Sequence, residues 1–367
     1  MGIHRTHIER GAAMATASNI PLPRRGTMKR NQWARVTGII ALLALVFGLG
    51  LVPRTDNVAA GAPITLSGIF SAIYGDPPPD SGLPPQVRYS LSNESGTWNL
   101  SISDSVLNAG GGVLALNRKT VTVKGEETSP GNIAVQSISL AAAAFGQPSP
   151  PLAVSGSQQF RTILCKFADV AAEPQPLSFF DTVMGSTKPG AKDYWGEVSY
   201  GNINLDGSTQ HNWLTLPNNR NTYFVDNDPT KDIQLGELAT DCATVHDPTV
   251  DFSGVEGINF VFNASIGCCA WGGGVGNTWD GKTGFSATWM PPGYWGSAAT
   301  GFGVWGQEMG HAFDMPHEGC QGTTSPYDSL WDVMSAARQV HINADYKDRI
   351  EGWIGAGRKY TATGASN

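Results

Sequence analysis

The most informative segment of the sequence is Gly306–Gly319, GQEMGHAFDMPHEG. With histidine in place of Gln307 it would read HExxHxxDxxH, which differs from the long zinc-binding motif HExxHxxGxxH at only one further position. On an α-helix, residues four apart lie on one face, so positions 307 and 311 point the same way. Glu308 follows the first of these positions directly. The stretch therefore predicts a helix that carries a metal site.

The same stretch predicts how a third ligand reaches the metal. If the helix ends near Phe313, the chain can turn and bring His317 back towards the helix. Such a turn needs a residue that tolerates a positive φ, which explains the glycine of the long motif, and Asp314 is among the few replacements. We therefore predict Gln307, His311 and His317 as metal ligands, with Glu308 as a general base.

The glutamine affects which metal is expected. Its amide oxygen is neutral and a poorer donor than an imidazole nitrogen, so the affinity for zinc should fall. Copper(II) binds nitrogen and oxygen ligands more tightly than zinc does. We expect one divalent metal, zinc first and copper as the alternative. Calcium is a weaker candidate at Asp226–Asp232, DNDPTKD, which lacks the glycine and terminal glutamate of an EF-hand loop and reads better as a solvated turn.

A second motif follows the first. Met334 stands seventeen positions after His317, in the run YDSLWDVMSA. The combination resembles the metzincin metallopeptidases. More narrowly, three runs look similar to the gametolysin family and its immune-inhibitor-A-like relatives, and the similarity covers roughly Phe160–Ile354. These runs are KDYWGEVSYGNINLDG, ATWMPPGYWGSAATGFGVWGQEMGHAFDMPH and HINADYKDRIEGWI.

The resemblance implies roles for these residues. The motif positions would bind zinc, Glu308 would act as the base, and Met334 would form the floor of the site. Glutamine at position 307 is a variant that the gametolysin branch itself contains. Ala336 stands where many metzincins have a tyrosine, so Tyr327 is a candidate oxyanion stabiliser in its place.

The resemblance also implies an activity. It predicts a secreted metalloendopeptidase that hydrolyses peptide bonds of extracellular or cell-wall proteins, with a protein or peptide as substrate. The alternative is a catalytically inactive metzincin-fold protein that serves in binding or adhesion.

The N-terminal residues predict export. Met28–Ala60 has a basic start, an apolar run over Val36–Val52 and a small-residue pattern before Ala60. We interpret residues 1–60 as a signal peptide, or alternatively as an uncleaved membrane anchor that leaves the catalytic domain outside. They carry 8 Lys and Arg against 2 acids, whereas the remainder carries 16 against 29. An acidic exported body argues against nucleic acid as a partner, because phosphates would repel it.

Composition divides the rest of the chain. Over residues 61–140, four runs alternate apolar and polar residues and predict strands of a small antiparallel barrel or sandwich: QVRYSLSN, TWNLSIS, KTVTVKG and NIAVQSISL. This segment holds no cluster of metal-ligating residues, so we predict a β-rich, pro-region-like domain or spacer, with a binding module as the alternative. Residues 141–158 are a linker by composition. Residues 159–367 are the predicted metallopeptidase domain, so the predicted fold is α+β, a metzincin-like catalytic domain preceded by a small all-β domain.

The cysteines predict disulfide bonds. All five lie within residues 159–367, which fits an oxidising compartment, and an odd number leaves one over. We expect Cys268 and Cys269 to bond to two distant partners, because a bond between neighbours strains disulfide geometry. We expect His211 and His246 at the surface. The tryptophans fit a substrate cleft or a core equally well: Trp271, Trp279, Trp289, Trp295 and Trp305.

Overall fold

The computed structural model describes residues 63–78, 81–141, 154–295, 302–318, 327–336, 338–350 and 352–359. The predicted signal or anchor segment 1–60, most of the predicted linker 141–158, and Cys320 lie outside these ranges. Within them, no helix is long and apolar enough to cross a membrane.

The described residues form strands and short helices in alternation. The strands are β1 (Pro63–Asp76), β2 (Gln86–Asn93), β3 (Gly96–Ser101), β4 (Thr120–Ser129), β5 (Asn132–Leu140), β6 (Gly156–Ser157), β7 (Phe160–Lys166), β8 (Ile203–Asn204), β9 (Thr209–Thr215), β10 (Gly257–Phe262), β11 (Ala270–Trp279) and β12 (Lys282–Met290). The α-helices are α1 (Asp104–Ala109), α2 (Val113–Leu116), α3 (Leu177–Val183), α4 (Ala191–Val198), α5 (Leu235–His246), α6 (Gly303–Ala312) and α7 (Val333–Ala336).

The first five strands close into a barrel. β1 pairs with β4 through its first half and with β2 through its second half. The pairs β2–β3 and β4–β5 are antiparallel and β3–β5 is parallel, so the five pairings form a ring. A closed five-stranded barrel with helices between β3 and β4 is an architecture that includes the OB-fold. The four runs predicted as strands are confirmed as β2, β3, β4 and β5.

Strand β1 also pairs with a second group of strands. This group consists of β11, β12, β10, β7 and β9 and is called the larger sheet below. The last four residues of β1 pair antiparallel with β11, whose other neighbour is β12. β12, β10, β7 and β9 follow in parallel, so ten strands within the described residues share one sheet. The predicted boundary between 61–140 and 159–367 therefore does not divide the sheet, and both segments belong to one unit, Ala59–Asn367.

The pattern of burial along β1 reflects its pairing with both the barrel strands and β11. The half that pairs only with β4 alternates between more and less exposed residues, as expected for a strand with one solvated face. The half from Phe70 onwards is buried almost throughout. Phe70 and Tyr74 pack into the barrel core, whereas Ile73 points into the core of the larger sheet.

Helices cover both faces of the larger sheet. Helix α5 packs on one face with residues of β7, β10, β11 and β12. Helices α3, α4, α6 and α7 pack on the other. Of the tryptophans, Trp271, Trp289 and Trp305 are fully buried, Trp295 is 6% exposed and Trp279 is partly buried, so the core alternative holds for them.

Two expectations from the sequence are wrong. Cys268 and Cys269 bond to each other, because Cys165 and Cys242 are joined between β7 and α5 and leave no distant partner among the described cysteines. His246 is 1% exposed, since it lies on the face of α5 that packs against β7, and its Nε2 lies 3.1 Å from the Leu164 carbonyl oxygen. His211 is half-buried on β9.

Candidate metal centre

Helix α6 ends where the sequence predicts. Its last residue is Ala312, with Phe313 as C-cap, and Asp314 follows with φ +71°. The positive φ that the motif requires at this position is thus adopted by an aspartate. Its carboxylate accepts a hydrogen bond from Asn117 at 2.6 Å and pairs with Arg118. Two residues of the barrel therefore hold the turn that follows the motif helix.

Two glycines allow α6 to approach its neighbours. A Cβ at Gly272 of β11 would overlap the Glu308 carbonyl, so the helix backbone lies directly on the strand. A Cβ at Gly310 would overlap the Met334 sulfur. Met334 is fully buried, and because of this close approach it lies directly beneath the helix turn that carries His311.

The turn after the helix returns His317 to the site. The Tyr346 hydroxyl donates to the His317 carbonyl at 3.1 Å, and the backbone N–H of Glu318 donates to Met334 at 3.2 Å. The two histidine rings lie edge to face, with centroids 4.5 Å apart. The structure therefore brings together His311 and His317, as the motif predicts.

A residue that the sequence did not predict lies at the centre of the site. The Asp76 carboxylate, at the end of β1, is 2.8 Å from His317 Nε2 and 3.1 Å from His311 Nε2. Its Oδ1 also accepts hydrogen bonds from Gln307 Nε2 at 2.8 Å and from the Tyr327 hydroxyl at 2.6 Å. All the predicted ligands thus converge on one carboxylate from the barrel.

Segment 61–140 holds no cluster of metal-ligating residues of its own, but it contributes Asp76 to a group that it forms with His311 and His317. The ligand atoms of Asp76, His311 and His317 all lie within 4.8 Å of one another. The sequence offered one weak signal, an apolar strand that ends in an acid. Nothing local showed that this strand would pair with β11, because the two are far apart in the chain.

The hydrogen bonding of His311 fixes which nitrogen faces the site. Its Nδ1 lies 2.7 Å from the Met315 carbonyl oxygen, which can only accept, so Nδ1 carries the proton. In the neutral ring, Nε2 then presents a lone pair to the Asp76 carboxylate. Two acceptors 3.1 Å apart repel unless a positive charge lies between them. This arrangement fits a cation at the point where the ligands meet.

The protonation equilibria favour the same state. Burial raises the pKa of Asp76, but its interactions with His317 and then with His311 outweigh burial and hold this pKa well below its usual range. Burial, followed by the charge of His317, lowers the pKa of His311 against the opposing effect of Asp76. An ionised carboxylate beside a neutral imidazole is a pair of groups ready to bind a metal.

Glu308 is buried beside this cluster. Its side chain is fully buried, and no N–H or O–H group of the described residues donates to either carboxylate oxygen. Burial, followed by the negative charge of Asp76, raises the pKa of Glu308 well above its usual range. A divalent cation at the ligands would reverse this shift, because an opposite charge favours the carboxylate.

Gln307 is also incompletely satisfied. Its amide nitrogen faces Asp76, and its Oε1 is buried without a donor among the described residues. Rotation of the terminal amide exchanges nitrogen and oxygen with almost no change of shape. The carbonyl oxygen can therefore take the place of a ligand at the same point.

Three tyrosines enclose the centre. Tyr74 stacks on His311, with ring centroids 4.5 Å apart, and contacts His317 edge-on. Tyr327 reaches the site through its bond to Asp76. Burial, followed by the charge of Asp76, raises the pKa of Tyr327 well above its usual value, so its hydroxyl stays a hydrogen-bond donor. Tyr294 lines the adjacent cavity of about 250 Å³.

The carboxylates of Asp226–Asp232, the weaker candidate for a calcium site, contact neighbouring side chains. Asp226 pairs with Lys231, and Asp228 accepts hydrogen bonds from Thr230. Asp232 pairs with Arg88 of the barrel. The carboxylates of this segment are thus used in the turn and in a contact with β2.

The donors present fit a divalent metal. The ligand atoms of Asp76, His311 and His317 lie within 4.8 Å of one another, and they are oxygen and nitrogen donors of the kind that a divalent metal binds. The Glu308 carboxylate adjoins this set without a partner of its own. No protein-family model matches the chain, and no curated protein matches it.

Proposed function

We propose that the protein is a secreted metal-dependent endopeptidase that uses Glu308 as its general base. The observation that carries this proposal is the fully buried Glu308 carboxylate, which has no donor among the described residues and lies beside the convergent ligands. A structural metal site has no use for a buried, unpaired carboxylate next to it. A hydrolytic site needs such a group to accept a proton.

The proposed ligands are His311, His317 and Gln307. A divalent cation held by them would supply Lewis-acid polarisation of a peptide carbonyl and make a water molecule more acidic. His311 is oriented by its bond to Met315 and by the ring of Tyr74. An outer partner of this kind fixes the ring and its tautomer.

Glu308 would transfer the proton. It would take a proton from the attacking water and deliver it to the leaving amine, so that one residue acts as base and then as acid. Its burial excludes bulk water from the proton path. The short distance from the Tyr327 hydroxyl to Asp76 supports the assignment of Tyr327 as the oxyanion stabiliser, since a donor there would face charge that develops on the carbonyl oxygen.

The proposed substrate is an extracellular or cell-wall protein. The cavity beside Gln307 is lined by Tyr294, Val304, Tyr327 and Leu330, which can receive an apolar side chain next to the reacting bond. Leu330 is exposed, and Trp331 beside it is 84% exposed. An apolar rim at the mouth of a cleft is typical of a surface that receives a polypeptide.

The test is a pair of measurements on the purified full chain. We expect metal in stoichiometric amount, and hydrolysis of casein that a chelator abolishes. Glu308→Gln should lower turnover by at least about a hundredfold while the metal stays bound. Glu94→Gln, at an exposed turn of the barrel, is the matched control and should behave as wild type. Unchanged hydrolysis in the Glu308 variant would overturn the proposal. A metal-loaded chain without turnover would favour the binding or adhesion protein instead.

A further inference from the structure

The end of β1 lies in the cleft in the manner of a bound peptide. We propose that β1 is an internal occupant of the substrate site, that it pairs with β11 as an extended peptide substrate would, and that Asp76 is a fourth metal ligand which keeps the protein latent. The inference rests on the proposed function and adds to it the mode of substrate binding and the means of regulation.

The first support is the strand pairing. Ile73, Tyr74, Gly75 and Asp76 pair antiparallel with Gly273, Gly272, Trp271 and Ala270. On its other edge, β11 pairs with β12. Without β1, the edge of β11 would present its backbone N–H and C=O groups directly beside α6. An exposed strand edge binds extended peptides through main-chain hydrogen bonds.

The second support is the position of the carboxylate. Asp76 is 3% exposed, and its two oxygens contact four side chains of the proposed site: Gln307, His311, His317 and Tyr327. A metal with three protein ligands has an open position for water or substrate, whereas a fourth protein ligand closes it. With Asp76 in place, the site has the composition of a closed centre.

The third support is the backbone fit at Gly75. A Cβ on Gly75 would lie 2.5 Å from the indole ring of Trp271, so only glycine lets β1 lie this close to β11. Trp271 is fully buried and carries Arg88 of β2 on its ring, at 4.3 Å from the centroid. The barrel thus holds the paired segment from the outer side as well.

The fourth support is a second attachment of the barrel to the same helix. Asn117 accepts a hydrogen bond from the backbone of Ala72 in β1 and donates one to Asp314. Arg118 contacts Asp314 and also Ser286 of β12. One pair of barrel residues therefore links β1, the turn after α6 and the larger sheet. Latency would end when these contacts and the β1–β11 pairing are released together.

The test compares two variants of the full chain with wild type. Asp76→Asn retains the side-chain shape but removes the ligand charge, and Gly75→Ala retains Asp76 but pushes β1 from Trp271. Both should raise turnover of a quenched fluorescent peptide by at least about tenfold, because the open state is a minor population in wild type. Gly254→Ala, where a Cβ meets nothing within 4 Å, is the control for the glycine change.

A spectroscopic measurement separates ligation from activity. In the cobalt-substituted protein, Asp76→Asn should change the ligand-field absorption, since water replaces a carboxylate, whereas Glu94→Gln should not. An unchanged spectrum would show that Asp76 is not a ligand and would overturn the inference.

The remaining outcomes are distinguishable. If wild type hydrolyses peptide in a Glu308-dependent manner and neither variant exceeds it, the site is already open; the inference then fails while the proposed function stands. Lower activity in Asp76→Asn would make Asp76 a permanent ligand, with the same consequence. If no variant turns over peptide although all bind metal, the proposed function fails, and the latency fails with it.

Discussion

At the scale of single residues, Gln307 is the unusual member of the site. It occupies a helix position at which a histidine would be the stronger donor to the proposed metal. The amide contacts Asp76 at 2.8 Å, so the side chain already points at the place where the ligands meet. A neutral oxygen donor in this position gives a weaker and less zinc-selective centre than three imidazoles would.

The first prediction concerns this residue. Gln307→His should tighten zinc binding and shift the preference towards zinc, whereas Gln307→Ala should weaken the binding of every metal, because a ligand is lost. Wild type should lie between them and gain more from Cu²⁺ than the histidine variant does. Titration of the three proteins with Zn²⁺ and Cu²⁺ in one buffer measures this. Equal, negligible affinity in wild type and Gln307→Ala would remove glutamine from the ligand set and end the enzyme assignment.

At the scale of secondary-structure elements, the site depends on how closely α6 approaches its neighbours. Gly272 of β11 lies against one side of the helix. Gly310 of the helix itself lies against Met334 of α7, so neither contact has a side chain at the glycine position. The helix can therefore present Glu308 and His311 without a layer of side chains in between. Residue spacing within the motif determines the direction in which the ligands point. These two glycines determine how closely the helix that carries the ligands approaches β11 and α7.

The second prediction tests the contact between α6 and α7. Gly310→Ala should lower the free energy of unfolding by about 1–3 kcal/mol, because the added methyl group displaces the Met334 sulfur from a packed core. Gly196→Ala in α4 is the matched control. A Cβ there meets nothing within 4 Å, so the change should be neutral or stabilising by up to about 1 kcal/mol. Urea unfolding of both variants provides the comparison; equal stability of the two would contradict the proposed packing.

The elements also show how far the sequence could predict this structure. The end of the motif helix, the positive φ at Asp314 and the barrel strands β2 to β5 follow from local patterns, and all are confirmed. The role of Asp76 does not follow, since it depends on the pairing of β1 with a strand far along the chain. Hydrophobic alternation predicts that a strand exists but leaves its partner open.

The errors have similar causes. His246 stands among polar residues in the sequence, and only the docking of α5 on β7 buries it. The bond between Cys268 and Cys269 follows from the pairing of Cys165 with Cys242, which joins two elements that meet only in the folded protein. Each of these features depends on contacts that no short stretch of sequence contains.

At the scale of the whole molecule, buried titratable groups make stability depend on pH. His246 is buried, and burial disfavours the charged ring more than the hydrogen bond from Nε2 to the Leu164 carbonyl favours it. Burial lowers the pKa of His246 from 6.5 to about 4. The unfolded chain therefore binds a proton below pH 6.5 that the folded protein accepts only near pH 4. Stability from this residue is complete above pH 6.5 and is lost as the pH falls.

The third prediction follows from this loss of stability at low pH. Between about pH 7.5 and pH 5, wild type should lose about 2 kcal/mol through His246, and His246→Gln should not, because glutamine can still donate to Leu164 without titrating. His341→Gln, at an exposed position, should retain the pH dependence of wild type. Melting temperatures of the three proteins across this range measure the difference. A parallel decline in all three would show that His246 does not carry it.

The shared strand β1 also has a consequence for the time course of folding. The strand pairs within the barrel and among the parallel strands join positions at most 97 residues apart, 257 minus 160. The pairing of Ile73 with Gly273 joins positions two hundred residues apart, 273 minus 73. Such a distant contact has a large loop-closure entropy and forms late. The last event of folding is then also the one that places Asp76 among the histidines. Under the proposed latency, a newly made molecule would pass through a stage with an open site, and completion of the fold would leave the open state as a minor population.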